Sequence, residues 1–284
     1  MNGLDITVRP RNMWIVDFGE MNLEEAKLFS LPFSYVEKNV KPSRDENNDL
    51  QRKTFWWRLG RSGGDLKAAK KGLSRIIVTP RVSKHRLFVW ADPELIPDSA
   101  IVAITKDDNY FFGLLHSTLH ELWARSTGTQ LREAESGFRY TPTSTFETFP
   151  FPWPPGTEPK DDPRVQAIAA AAKYLDDFRT GWLHPPVVEI GVTISEKMLQ
   201  KRTLTNLYNA LTLYREQFKG RSRQPSAWDE AVQHLISLGE VETLDHVHTT
   251  LDHAVLDAYG WPHNLSEEGI LERLLALNLE RAKG

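Results

Sequence analysis

Short apolar runs separated by polar turns dominate the first hundred residues, and such runs predict β-strands. Residues 75–79, 87–90 and 100–104 are rich in Ile, Val, Phe and Trp, and residues 13–19 form a fourth apolar run. Pro80 lacks the backbone N–H that a central strand needs, so the run before it should end there or lie at a sheet edge. The pattern therefore predicts four short buried strands.

A helical period of apolar residues is clearest over residues 109–125, where aromatic and leucine side chains recur every three or four positions. Gly128 is placed to end this helix. Another helix is predicted to begin at Asn22, because Glu25 three residues later completes a capping box, and to break at Pro32.

Three other segments of the first half have distinct compositions. Residues 41–54 show no apolar period and predict a loop, whereas residues 65–71 predict a short helix that ends at Gly72. Residues 146–155 interleave prolines with aromatic residues, which excludes a helix or a central strand. They predict either an extended strap packed by its rings or a Pro-rich linker.

Beyond residue 156 the period becomes helical. Four helices are predicted, one capped by Asp162 and Pro163 and running through 167–178, and the others at 204–218, 243–259 and 266–282. Residues 219–227 read as a flexible connection. The predicted fold is thus α+β, with a small mixed α/β domain at residues 1–156 followed by an all-helical domain at residues 157–284.

Composition narrows the chemistry. The 284 residues carry a formal charge of -3 and contain no cysteine, which excludes disulfides, thiolate zinc sites and cysteine nucleophiles. Met1 is followed by no apolar signal segment, and no run approaches the ~18 apolar residues of a membrane span. We therefore expect a cytoplasmic protein without a membrane partner.

The nearly neutral total hides one strongly basic segment. Residues 51–90 hold eleven lysines and arginines but one acidic residue, Asp65. Such a segment can bind a polyanion locally although the chain as a whole is not basic. Within it, Arg81, Lys84 and Arg86 lie in a turn between two predicted strands, while Arg58 and Arg61 flank two tryptophans. These five residues are candidate phosphate-binding residues, or else cations of an ordinary solvated surface.

Motifs for self-contained catalysis are missing from the sequence. There is no Gly-rich nucleotide loop after a strand, no GK[ST] phosphate loop, no Gly-x-Ser-x-Gly elbow and no Asx-Pro-Pro-aromatic tetrapeptide. We therefore assign no catalytic residue. His116 and His120 share a helix face, but Ser117 stands where the zincin pattern needs glutamate, so they favour a polar stripe beside Trp123 over a metal site. A metallohydrolase remains a distant alternative.

A second group of His and Asp side chains spans residues 245–253. On a helix, His246 and His253 share a face while His248 points elsewhere. A solvated face is favoured over a metal site, and no metal is predicted.

The segment 128–140, after the predicted helix, combines Gln, Arg and Glu in one loop. Arginine reads guanine, glutamine reads adenine, and glutamate accepts from the cytosine amino group. The segment could therefore read base edges, or it could be an ordinary polar surface loop.

Four segments occur in an order that resembles a known family: Asn2-Gly3-Leu4-Asp5-Ile6, then residues 79–86, then Tyr110 to Ser117, and finally the Phe-Pro-Phe-Pro block at 149–152. The chain resembles the C-terminal target-recognition and helical region of MmeI-like class I DNA methyltransferases (type IIL/IIG), which are single-chain restriction–modification enzymes. In that family the Gly-x-Asp segment opens the target recognition domain and the Phe-Pro block closes it. Residues 259–262 and 274–278 look like the family's helical tail.

The resemblance implies sequence-specific recognition of double-stranded DNA. Gln130, Arg132, Glu133 and Arg139 would be the base-reading candidates, and the basic turn at 81–86 would hold phosphates. The full enzyme would use S-adenosylmethionine to methylate adenine N6 after flipping the base out of the duplex. The family's cofactor loop and catalytic motif would precede residue 1, so this chain is expected to hold no cofactor.

Two readings of the chain's role follow. It could be the DNA recognition module of such a methyltransferase, with the catalytic domain in cis or in trans, and either a fragment or a split gene product. Alternatively, it could be a protein-interaction subunit that docks a separate methyltransferase chain and has negligible DNA binding of its own.

Overall fold

The chain combines fourteen helices and two small antiparallel sheets in a computed structural model that describes residues 1–60, 63–130, 137–185, 196–218 and 240–283. The helices in these ranges are α1 (Gly3–Thr7), α2 (Leu23–Lys27), α3 (Ser30–Asn39), α4 (Lys41–Asp45), α5 (Leu50–Thr54), α6 (Gly64–Ala69), α7 (Asn109–His116), α8 (Thr118–Thr127), α9 (Pro142–Thr145), α10 (Pro163–Leu183), α11 (Glu196–Lys201), α12 (Leu204–Phe218), α13 (Glu240–Tyr259) and α14 (Glu267–Arg281). The strands are β1 (Ile76–Pro80), β2 (Val82–Ser83), β3 (Val89–Ala91), β4 (Ile101–Ile104), β5 (Thr129–Gln130) and β6 (Phe138–Arg139). The predicted α+β class is confirmed.

The chain divides into two compact units, one formed by residues 11–72 and the other by residues 1–10 together with 73–284. The smaller unit contains α2 to α6, and the larger one contains both sheets and the remaining helices. None of the helices in the described ranges combines the length and the apolar character needed to cross a membrane.

The first sheet of the larger unit has the strand order β3-β1-β4, and both pairings are antiparallel. The central strand β1 is buried on both faces, which explains why it reads as a continuous apolar run. Val78 faces α1, whereas Ile77 joins the main core. Pro80 is the last residue of β1, as its missing N–H predicted.

The amphipathic helix predicted at 109–125 is two helices, α7 and α8, separated at Ser117. Ser117 is extended, and its side chain caps α8 by accepting from the backbone N–H of His120. A serine at such a position competes with the helical hydrogen bonds, so an uninterrupted apolar period does not reveal the break.

Helix α10 packs across α7, and glycine permits their close approach. A Cβ added to Gly113 would lie 2.8 Å from Ile168 Cγ2 and 2.9 Å from Ala172 Cβ. The core built on this contact includes side chains from both sides of Gly156, the predicted domain boundary. The hydrophobic core is continuous across this position. The division at Gly156 into a recognition domain and a helical domain stays a prediction.

The Pro-aromatic segment 146–155 is a strap packed by its rings, as the first alternative predicted, but it contains turns and bends at 146–148 and 152–153 and is not extended. Phe149 and Phe151 are buried in the main core. Backbone carbonyls of the strap accept hydrogen bonds from Tyr259 of α13 and Arg281 of α14. The strap therefore attaches the C-terminal helices to the sheet-bearing part of the larger unit.

The smaller unit corrects three predictions. Residues 13–19 form no strand, and Trp14 is 96% exposed, because the described part of this unit contains no strand with which they could pair. Pro32 does not end a helix but lies in the first turn of α3, where its missing N–H costs nothing. The predicted loop at 41–54 contains α4 and α5. The capping box of Asn22 and Glu25 at the start of α2 is confirmed.

A buried guanidinium joins α10 to the first sheet. Arg179 is 2% exposed, and it donates to the Phe88 carbonyl oxygen at 2.6 Å and to Nε2 of His116 at 2.6 Å. Because Nε2 accepts this bond, the His116 ring must be neutral with its proton on Nδ1, which donates to the Phe112 carbonyl at 2.9 Å. Burial, and then the charge of Arg179, lower the His116 pKa well below its ordinary value.

We expect Arg179→Met to lower the free energy of unfolding by about 3 kcal/mol, since it leaves two buried acceptors without their charged donor. Chemical denaturation measures this difference. Lys173→Met on the exposed side of the same helix is the matched control and should change stability by less than about 0.5 kcal/mol. Equal stabilities of the two variants would contradict the role given to Arg179.

Stability should also fall in mild acid. Burial lowers the pKa of His120 and of His248 to about 3. Burial also lowers the pKa of His116. Below about pH 6.5 the unfolded chain therefore binds protons that the folded chain refuses, so stability is full at neutral pH and lost as the pH falls. Asp252 acts oppositely, because burial raises its pKa to about 6. His120 and His248 together should lose about 4 kcal/mol of stability between pH 8 and pH 5, and Asp252 offsets part of that loss.

Urea denaturation at pH 8, 6 and 5 measures this loss. His248→Gln should reduce it by about 2 kcal/mol, whereas His246→Gln, at an exposed position of the same helix, should leave it unchanged. Stability that does not depend on pH over this range would show that the histidines are not held neutral.

Candidate nucleic-acid interface

The second sheet brings together the two segments that the sequence singled out. Its strand order is β2-β6-β5, with β2 in the basic turn and β5 and β6 flanking the polar loop. The register pairs Val82 with Arg139 and Arg139 with Thr129. Three of the candidate residues, Arg81, Lys84 and Arg139, therefore lie on or beside this small sheet.

Arg81 connects the two sheets through its backbone. Its N–H donates to the Ala100 carbonyl at 2.6 Å beside the first sheet, and its carbonyl accepts from the N–H of Tyr140 at 2.7 Å beside the second. Its side chain is half-buried and donates from Nε to the Ser99 carbonyl. The backbone at this candidate residue is thus fixed on both sides.

Gly137 allows the loop to close against the basic turn. It has φ +81°, and a Cβ built there would lie 2.0 Å from the carbonyl oxygen of Ser83. Any other residue would both strain the backbone and push β6 away from β2. The sequence showed a glycine in the loop, but only the register explains why it is needed.

One face of the second sheet points to solvent. Directly opposed residues of neighbouring strands lie on the same face, so Val82, Arg139 and Thr129 form one row, and all three are exposed. The other face carries Phe138, which is fully buried. Sequence reasoning identified Arg139 but missed its two neighbours, because two-residue strands leave no periodic signal.

Three cations of this surface, the exposed Lys84 and Arg139 and the half-buried Arg81, form no salt bridge within the described residues. Arg125, whose guanidinium lies over the Phe138 ring, is paired with Glu121. An unneutralised cation attracts a phosphate more strongly than one already paired. The arrangement therefore presents positive charge beside an exposed sheet face.

Arg86 is not placed as the sequence suggested. It is 6% exposed, and its guanidinium donates to Thr79 Oγ1, to the Pro80 carbonyl and to the Phe138 carbonyl. It also lies over the rings of Phe138 and Tyr140. Burial lowers its pKa to about 10, so it stays charged at neutral pH. We therefore correct its role from a phosphate contact to a support that joins β1 to β6.

Arg58 also contacts its own unit. It donates to the carbonyls of Glu20 and Met21 and forms an ion pair with the Glu20 carboxylate at 3.0 Å. The neighbouring Trp56 and Trp57 are buried in the core of the smaller unit. The tryptophans are therefore core residues, and the part of Arg58 in binding stays a prediction.

Four predicted residues are described incompletely or not at all. The backbone of Gln130 pairs with Phe138. Arg61, Arg132 and Glu133 lie outside the described residues. Their assignments stay predictions that rest on the sequence.

The paired histidines of α7 and α8 belong to the core. His120 is fully buried; its Nδ1 lies 3.1 Å from the Leu115 carbonyl and its Nε2 lies 3.1 Å from the Tyr140 hydroxyl. His116 bonds to Arg179 as described above. The described ranges contain no group of three or more His, Cys, Asp or Glu side chains that could hold a metal ion. The polar stripe, rather than the metal site, matches these contacts.

The histidines of α13 are only partly solvated. His246 is exposed, but His248 is buried and pairs with the Tyr208 hydroxyl at 2.9 Å. Asp252 accepts from the backbone N–H and the hydroxyl of Thr118 at 2.7 and 2.6 Å, at the start of α8. The expected solvated face is therefore wrong for His248 and Asp252, because they meet neighbouring helices.

Residues 13–153 match the family model of the MmeI target recognition domain, and this part of the chain belongs to that family. The whole chain is also similar in fold to a solved structure of the Type IIL restriction-modification enzyme MmeI in complex with DNA, with a TM-score of 0.66 and 18% identity. The match covers 100% of this chain and 31% of that one, so the chain spans about a third of its length. A search of curated proteins found no match.

Arg81→Lys and Arg86→Lys should separate the two kinds of arginine. Lysine at 86 keeps the charge but cannot reach three acceptors, so we expect the free energy of unfolding to fall by about 2–3 kcal/mol. Lysine at 81 should change it by less than about 0.5 kcal/mol. Thermal or urea denaturation measures both. Equal losses of unfolding free energy in the two variants would contradict the buried supporting role of Arg86.

Proposed function

We propose that this chain is a sequence-specific DNA recognition module of a restriction–modification methyltransferase that modifies adenine N6. The observation that carries the proposal is the family match of residues 13–153. The second sheet supports it, since it gathers unneutralised cations around an exposed row of side chains.

Base reading is assigned to the exposed row and the adjoining loop. Arg139 offers a guanidinium suited to the O6 and N7 acceptors of guanine. Gln130, at the end of β5, and Arg132 and Glu133, between β5 and β6 in the sequence, belong to the same proposal through their position. A two-stranded ribbon fits the width of the major groove, so β5 and β6 could enter it together.

Phosphate binding is assigned to Arg81 and Lys84, with Arg58 and Arg61 as further candidates. Backbone contacts of this kind position a protein on the duplex without reading sequence. Arg86 contributes indirectly, because its hydrogen bonds join β1 of the first sheet to β6 of the second beneath this surface.

Methyl transfer is assigned to a catalytic domain in cis or in trans. That domain would supply the S-adenosylmethionine site, and we assign no cofactor or catalytic residue to this chain. The cytoplasm is the proposed location.

A second candidate function is a protein-interaction subunit that docks a methyltransferase chain. It is favoured by exposed apolar side chains in the smaller unit. Leu31 and Tyr35 lie four residues apart on α3, Leu28 precedes that helix, and all three are more than half exposed, as are Met13 and Trp14. Exposed apolar side chains are typical of protein contacts where they form a continuous patch.

Duplex binding measured by fluorescence anisotropy tests the proposal. We expect affinity to fall steeply between ~50 mM and ~200 mM salt, because phosphate contacts release counterions. Selection from a randomised duplex library should enrich a defined motif.

Arg139→Ala should relax one position of that motif at a cost of about 1–3 kcal/mol, whereas Arg81→Ala should weaken binding to all sequences alike.

Absence of duplex binding at ~50 mM salt would overturn the recognition function. Co-purification with a methyltransferase chain in that case would favour the docking subunit. Binding without any enriched motif would leave a non-specific DNA-binding protein and would also contradict the proposal.

A further inference from the structure

The basic turn touches a helix that is more than a hundred residues away in sequence. Nζ of Lys84 and Nε2 of His85 each lie 2.8 Å from Oδ1 of Asn209 on α12. Lys84 is otherwise exposed, whereas His85 is half-buried. A single side-chain oxygen therefore holds two consecutive residues of the turn.

The acceptor is itself held in place. Tyr208, the residue before Asn209, lies with its ring 6.0 Å from the His85 ring and bonds through its hydroxyl to His248 on α13. Both Tyr208 and His248 are buried. On the side of the turn, the Ser83 hydroxyl donates to the His85 carbonyl. The contact thus joins α12 to the basic turn, and each of the two is held by further hydrogen bonds of its own.

The chemistry of the acceptor determines what the contact does to the charge of Lys84. An amide oxygen has two lone pairs and can accept from both residues, but it carries no net charge. It orients the ammonium group and leaves its positive charge unneutralised. A carboxylate at the same place would make equally good hydrogen bonds while cancelling that charge.

We propose that Asn209 is a positioning residue for DNA phosphate binding: it fixes Lys84 beside the exposed face of the second sheet without neutralising it. This inference rests on the proposed DNA-binding function. It gives the helical region a direct part in recognition, through a residue that no motif in the sequence marks.

Asn209→Asp tests this inference, because it keeps the size and both hydrogen bonds and changes only the charge. Chemical denaturation should show unchanged or higher stability, while affinity for a fluorescein-labelled mixed-sequence duplex should fall about tenfold at ~0.1 M salt. The slope of log affinity against log salt should shrink by about one, as expected for one lost phosphate contact. A residue that merely supported the fold would not give a variant that folds better and binds worse.

Two further variants complete the experiment. Asn206→Asp adds the same charge to α12 at a position whose side-chain amide donates to the Lys201 carbonyl instead, and it should alter affinity less than about twofold. In a Lys84→Ala background, Asn209→Asp should lose most of its effect on binding, since the two residues act together.

The outcomes are distinguishable from failure of the proposed function. If the wild-type chain binds no duplex, the DNA-binding function itself falls. If the wild-type chain binds and Asn209→Asp keeps its affinity and salt slope, or weakens binding equally with and without Lys84, only the role of Asn209 is overturned.

Discussion

The larger unit depends on arginines that are buried against neutral acceptors instead of carboxylates. Arg179 uses a carbonyl and an imidazole to join α10 to the first sheet, and Arg86 uses two carbonyls and a hydroxyl to join the two sheets. Each guanidinium distributes several donors over a plane, so one side chain can satisfy acceptors from different segments at once. Losing either would leave several buried oxygen or nitrogen atoms without partners, which is why these contacts constrain the whole unit.

A neutral acceptor also holds a cation at the surface, where it leaves the positive charge accessible to solvent. In the interior, neutral acceptors satisfy a cation without bringing a second charge out of water. At the turn, Asn209 accepts from Lys84 and leaves the net positive charge of the surface intact. Burial therefore separates two kinds of cation: Arg86 lies beneath the second sheet, whereas Lys84 and Arg139 are exposed and Arg81 is half-buried at the edge of the sheet.

The sequence revealed the elements with strong local signals. The strands at 76–80 and 101–104, the capping box at Asn22 and the C-terminal helices all follow from periodicity or capping chemistry. The failures have different causes. Residues 13–19 looked like a strand, but the described part of their unit offers no strand to pair with. The break at Ser117 is a local cap that a continuous apolar period concealed.

The candidate site divides in the same way. Charge and residue type identified the basic turn and Arg139, but could not tell that Arg86 points inward, since a buried and an exposed arginine look alike in a sequence. Asn209 carried no local signal at all. Its neighbours in space become visible only once α12 is packed against the turn.

The short length of β5 and β6 has a consequence for how this domain can change. Their pairing, together with Gly137, fixes the two ends of the segment between them to β2 and to the core. Because a slip of one residue would turn the buried Phe138 to solvent, strands of only two residues allow no change of register here.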